Sequence, residues 1–100
     1  MTEKTPRHGH DPIPMRRRIR WADIERPGDY CFSYADDKIV AIWLAVPTGR
    51  RMKYEFSRIP ITGDEAWQWD GNKDSPTLTP SVHAVGHWHG WVRAGELVEA

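Results

Sequence analysis

The middle of the chain carries the clearest pattern. Tyr30, Phe32 and Tyr34 alternate with Cys31 and Ser33, a period of two that sets three aromatic rings on one face of a strand. Ile39 to Val46 is a continuous apolar run rich in β-branched residues, the pattern of a strand covered on both faces. Met52, Tyr54 and Phe56 then alternate with Lys53, Glu55 and Ser57, which predicts a half-buried strand. Ala35-Asp36-Asp37-Lys38 and Pro47-Thr48-Gly49-Arg50 separate the three and hold the residues that favour turns. The prediction is a three-stranded antiparallel meander.

Upstream, Arg26-Pro27-Gly28-Asp29 is a turn, and Arg16 to Trp21 is a short edge strand or an extended lead-in. Residues 1 to 15 mix prolines, histidines and charges without an apolar period and are expected to form a flexible arm. Downstream, Ile59-Pro60-Ile61 ends the meander because proline cannot donate to a ladder, and Thr62 caps at most one helical turn. Trp67 and Trp69 share a strand face, Asp70-Gly71-Asn72 turns the chain, and Pro76 and Pro80 hold an extended segment. A last hairpin runs over His87 to Val92, turns at Arg93-Ala94-Gly95-Glu96 and returns over Leu97-Val98. The predicted fold is mainly β: an arm over 1–15, then one domain over 16–100, an antiparallel sheet of meander plus C-terminal hairpin, sandwich-like or half-barrel-like.

Composition narrows the function classes. Fourteen basic residues balance 14 acidic ones over 100 residues, so bulk charge does not hold a nucleic acid. The distribution is uneven. Residues 1–20 carry six basic and two acidic side chains, and from Ile59 onward two basic face six acidic. The single cysteine, Cys31, excludes an intrachain disulfide and any zinc site needing two cysteines. The N-terminus is polar and the longest apolar run, Ile39 to Val46, is far too short to span a bilayer, so a cytoplasmic location is expected.

Four of the six tryptophans and three of the five histidines lie between Trp67 and the C-terminus. On a strand, His87, His89 and Trp91 would share one face, with Trp88, Gly90 and Val92 on the other. Two imidazoles so placed are a start for a divalent metal such as zinc, with His83 as a third ligand and Asp70 or Asp74 able to add an oxygen. The same pattern also suits half-buried histidines bonded to backbone carbonyls. Enzymatic readings are weak at this level. Ser75, Thr77, Thr79 and Ser81 supply hydroxyls, yet no nucleophile elbow or glycine-rich phosphate loop accompanies them.

Three segments in order, Trp67-Gln68-Trp69-Asp70-Gly71, Pro76-Thr77-Leu78-Thr79-Pro80-Ser81 and His89-Gly90-Trp91-Val92-Arg93-Ala94-Gly95, resemble a family of small bacterial and phage proteins of unassigned function, sometimes labelled ammonia-monooxygenase-like. Many of those relatives carry a cysteine-rich knuckle in the middle strands and another cysteine before the histidine, which implies a zinc site. Here the middle hairpin turns at Pro47-Thr48-Gly49 without cysteine, and the position three before His89 is Gly86. The resemblance therefore carries over only His89, as an altered ligand, with His87 as a substitute. Some relatives lie near ubiquitin-like conjugation genes and many in phages, which implies an accessory role through binding.

The expectation is a small phage-type accessory protein that binds a macromolecular partner, foremost a protein such as a host or defence protein that it would inhibit. Trp67, Trp69, Trp88 and Trp91 cannot all fit a core this small, so one or two are expected to be exposed as anchors, and an edge strand could instead make a homodimer. A zinc site at His83, His87 and His89 is the competing reading. Contact with nucleic acid through Arg16, Arg17, Arg18 and Arg20 is the third.

Overall fold

The computed structural model describes residues 11–56 and 67–100. In chain order the elements are β1 (Ile13–Pro14), β2 (Arg16–Arg17), a 3-10 turn (Trp21–Asp23), β3 (Asp29–Ala35), β4 (Lys38–Ala45), β5 (Arg51–Glu55), β6 (Gln68–Trp69), β7 (Leu78–Thr79), β8 (Val82–Ala84), β9 (Trp88–Arg93) and β10 (Glu96–Glu99). The mainly β architecture matches the expectation. One four-stranded sheet runs β2-β3-β4-β5, the other β1-β10-β9-β8, and β6 pairs with β7.

The meander is β3-β4-β5, antiparallel throughout, with Phe32 opposite Ile42 and Ile42 opposite Tyr54. Its inner face sends Tyr30, Phe32, Ile42, Leu44 and Tyr54 into one core with Leu78, Val82, Ala84, Trp88, Val92 and Leu97 from the other side. The continuous apolar run of β4 has the cause its pattern suggested. On its other face, Ala45 packs with Ile24 and Cys31, and Trp43 leans on that smaller cluster. The alternation in β3 breaks near its end, where the register shifts between Ser33 and Tyr34 and Tyr34 is 54% exposed.

The arm is shorter than expected. Ile13 pairs with Leu97 in β10, the Met15 N–H donates to the Gly95 carbonyl at 2.9 Å, and Ile13 and Met15 pack on the core. Their apolar side chains override a composition that reads as linker, so residues 13–15 belong to the domain. The rest of the expected arm, 1–10, and the expectations for Ile59 to Ile61 and Thr62 lie outside the described residues.

β2 lies parallel to β3, and an ion pair between the half-buried Arg16 and the buried Asp29 joins them. Arg16 donates Nε and Nη2 to the two oxygens of Asp29 at 2.7 and 2.8 Å, and the Glu25 and Arg26 N–H groups donate to the same carboxylate. Burial pushes the Asp29 carboxyl up, but these donors outweigh it and hold it down at about 2. Gly28 is required beside it. At φ +93° it sits where a Cβ would stand 2.7 Å from the Pro14 carbonyl oxygen.

Candidate active site

The C-terminal third folds as two consecutive hairpins rather than one. Val82-His83-Ala84 forms β8, the chain turns through Val85, Gly86 and His87, and β9 returns antiparallel with His83 opposite His89. Alternation buries Val82 and Ala84, along with Trp88, Gly90 and Val92, and sends His83, His89 and Trp91 to the outer face. Gly90 has a packing cause. A Cβ there would run into the Trp88 ring and the Val98 carbonyl, so the strand admits only glycine beneath that indole. His87 corrects the expectation: it lies in the turn and is exposed, not on the strand face with His89.

Ser81 immediately precedes β8, after a cis Thr79-Pro80 bond. Two residues from His83, it faces the same side of the hairpin. Its Oγ stands 3.0 Å from Nε2 of His89. The His83 and His89 rings meet with centroids 3.8 Å apart and planes tilted by 32°. Ser81 is half-buried, and both histidines are exposed. A hydroxyl in hydrogen-bond contact with an imidazole nitrogen, open to solvent, is the pairing that nucleophilic acyl transfer needs.

The free edge of β8 is held by the meander side. Trp67 Nε1–H donates to the Ser81 carbonyl at 3.1 Å, and the Tyr54 hydroxyl donates to the His83 carbonyl at 2.9 Å. Tyr54 and Trp67 themselves pack edge to face, centroids 4.9 Å apart. Burial pushes the Tyr54 hydroxyl up to about 12, so it stays a donor. Because the Ser81 and His83 carbonyls face this edge, His83 and His89 form a non-hydrogen-bonded pair across the ladder, the narrower kind. That brings the two rings into contact.

The four expected tryptophan anchors are mostly inside. Trp88 is buried at 8%, Trp67 and Trp69 pack on the core, and Trp91 is half-buried beneath the Arg93 guanidinium at 4.5 Å. Trp69 stacks on Phe56 and leans on Phe32. The exposed tryptophan is Trp21, at 46%, which leans on Trp43 and lies under Arg51. Sheet faces on both sides of the core accommodate more indole than a single small core would.

His83 and His89 present ring faces to each other, and among the described residues no group of three or more His, Cys, Asp or Glu converges to hold a metal ion. Arg16 is engaged with Asp29, Arg17 with Asp74 at 3.3 Å, and Arg20 with Asp23 at 3.1 Å. Asp70 accepts from the Asn72 and Thr77 N–H groups, so its carboxylate shapes the turn. Cys31 is buried, and burial first, then Asp23, pushes its thiol up. Among the described residues no helix is long and apolar enough to cross a membrane.

A family model described as "Bacterial ubiquitination-like system serine protease (BubE)" matches residues 16–100. The chain belongs to this family. The BubE match spans β2 to β10 and so contains Ser81, His83, His89, Trp67 and Tyr54. No curated protein and no solved structure matches the chain. The family's description names a serine protease, and the contact between Ser81 and His89 is where this member's fold brings a serine and a histidine together. Sequence reasoning named both residues but not the pair. The signal available was the short alternation Val82-His83-Ala84 ahead of Val85-Gly86, a second hairpin hidden by the prolines before it.

Proposed function

We propose that the chain is a serine protease acting in a ubiquitination-like system, with Ser81 as nucleophile and His89 as general base. The observation that carries this is the 3.0 Å contact between Ser81 Oγ and His89 Nε2. The Ser81 oxygen attacks the carbonyl carbon of a peptide or isopeptide bond while Nε2 accepts its proton. The tetrahedral intermediate expels the amine, which takes that proton from the imidazolium, and leaves an ester on Ser81. Water, deprotonated by the same Nε2, then attacks the ester and releases the acid and the free serine. No metal enters these steps.

The family match supports the reaction class, and the exposure of the pair suits a macromolecular substrate that docks from outside. The test is hydrolysis of a protein conjugate made by such a system from the same bacterium, with purified wild type, Ser81→Ala and His89→Ala. Cleavage by wild type and loss of at least about a thousandfold in both variants is the expected result. Full cleavage by Ser81→Ala would refute the assignment.

A further inference from the structure

A second feature lies away from the Ser81 pair. β2 covers β3 only at Asp29 and Tyr30, and the Arg18 N–H adds one more bond, to the Tyr30 carbonyl at 2.6 Å. Beyond that point the chain leaves the sheet. Among the described residues no strand lies beside Phe32 to Ala35 on this side. The gap is a cleft of about 440 Å³ lined by Arg17, Arg18, Ile19, Phe32 and Tyr34. Ile19 is 89% exposed and Tyr34 54% exposed, an unusual display of apolar surface next to an open strand edge.

We infer that this cleft receives an extended segment of a partner protein, apolar and acidic in alternation, which adds as a strand to the open edge of β3. The backbone of such a segment pairs with the uncovered N–H and C=O groups. Alternate apolar side chains enter between Ile19, Phe32 and Tyr34, beside the Arg17 guanidinium that lies over the Phe32 ring, and the carboxylates between them face Arg18 on the other side of the strand. Charge decides the polarity of the occupant. Arg18 acts on Asp23 only through its charge, without an ion-pair contact among the described residues, and the partner of Arg17 is Asp74, a side chain 86% exposed. An exposed pair of that kind is worth little and yields readily to a competing carboxylate. A single-stranded nucleic acid fits less well, because it leaves the strand edge unpaired and meets a run of arginines of which Arg16 already holds the buried Asp29 carboxylate.

The test uses the full isotope-labelled chain, as wild type and as Ser81→Ala, so that hydrolysis cannot account for the signal. The probe is a capped octapeptide alternating valine and glutamate, titrated while amide shifts are followed. The expected result is saturable shifts at residues 18–19 and 32–35 with Kd below about 1 mM, equal in the two proteins. Arg18→Glu should weaken binding at least about tenfold, and a valine–lysine peptide should bind the wild type equally poorly. No shifts at these residues, or binding unchanged by Arg18→Glu, overturns the inference. Binding of oligothymidine here without binding of the peptide also overturns it, in favour of nucleic acid. None of these outcomes depends on whether Ser81 is a nucleophile.

Discussion

Single side chains with one clear partner make the sharpest predictions. Asp29 is fully buried and held by Arg16 and two backbone N–H groups, with its carboxyl down at about 2. An unfolded aspartate titrates near 3.9. The ionised form is thus favoured by folding, and its contribution, on the order of 2–3 kcal/mol, is fully present above about pH 4 and lost as pH falls through about 2. Asp29→Asn removes it and leaves Arg16 only the exposed carboxylate of Glu25 at 3.6 Å. Urea unfolding near neutral pH should show a loss of about 2–4 kcal/mol, and the variant's stability should vary less between about pH 4 and pH 2 than that of the wild type. Gly90→Ala should cost more than a helix or strand propensity change, at least about 2 kcal/mol, because the new methyl displaces the Trp88 ring. The same unfolding measurement checks it.

Among the elements, β8 matters most, because it is only three residues long and carries the site at its start. Its outer edge is fixed by Trp67 and Tyr54, which bond the carbonyls of Ser81 and His83. Trp67→Phe keeps an aromatic ring and removes the donor. It is predicted to lower kcat about tenfold, with KM and global stability changed little, since an oxygen displaced slightly from the imidazole loses reactive geometry before it loses binding. Alkaline titration reports the burial of Tyr54. A buried tyrosine raised to about 12, against about 10 unfolded, favours folding fully below about pH 10 and loses that contribution as pH rises through about 12. Tyr54→Phe should flatten this alkaline limb in denaturation experiments. The meander was legible in the sequence because its period-two pattern and turn residues agree. β8 was not, because Pro76 and Pro80 mask a strand that follows directly, and a three-residue strand offers little alternation to read. The strand β1 was hidden by prolines in the same way, and its two residues became visible only through their partners Leu97 and Glu96.

For the molecule as a whole, two sheets meet over one aromatic core, and each leaves an outward-facing feature. The β8–β9 hairpin displays Ser81 and His89, and the open edge of β3 displays Ile19, Tyr34 and Arg18. The Ser81–His89 contact lies within the last third, where histidines and tryptophans crowd the sequence. The contact itself was not legible, since residues eight apart in sequence become neighbours only once a turn has been located between them. The central claim is that Ser81 is a nucleophile activated by His89. Its most direct measurement is mass spectrometry of the intact chain after exposure to a fluorophosphonate, which phosphonylates an activated serine with loss of fluoride. The account predicts one adduct, mapped to Ser81, and its loss in His89→Ala. Absence of an adduct on Ser81, or labelling of Ser81 at the same rate in His89→Ala, would contradict it.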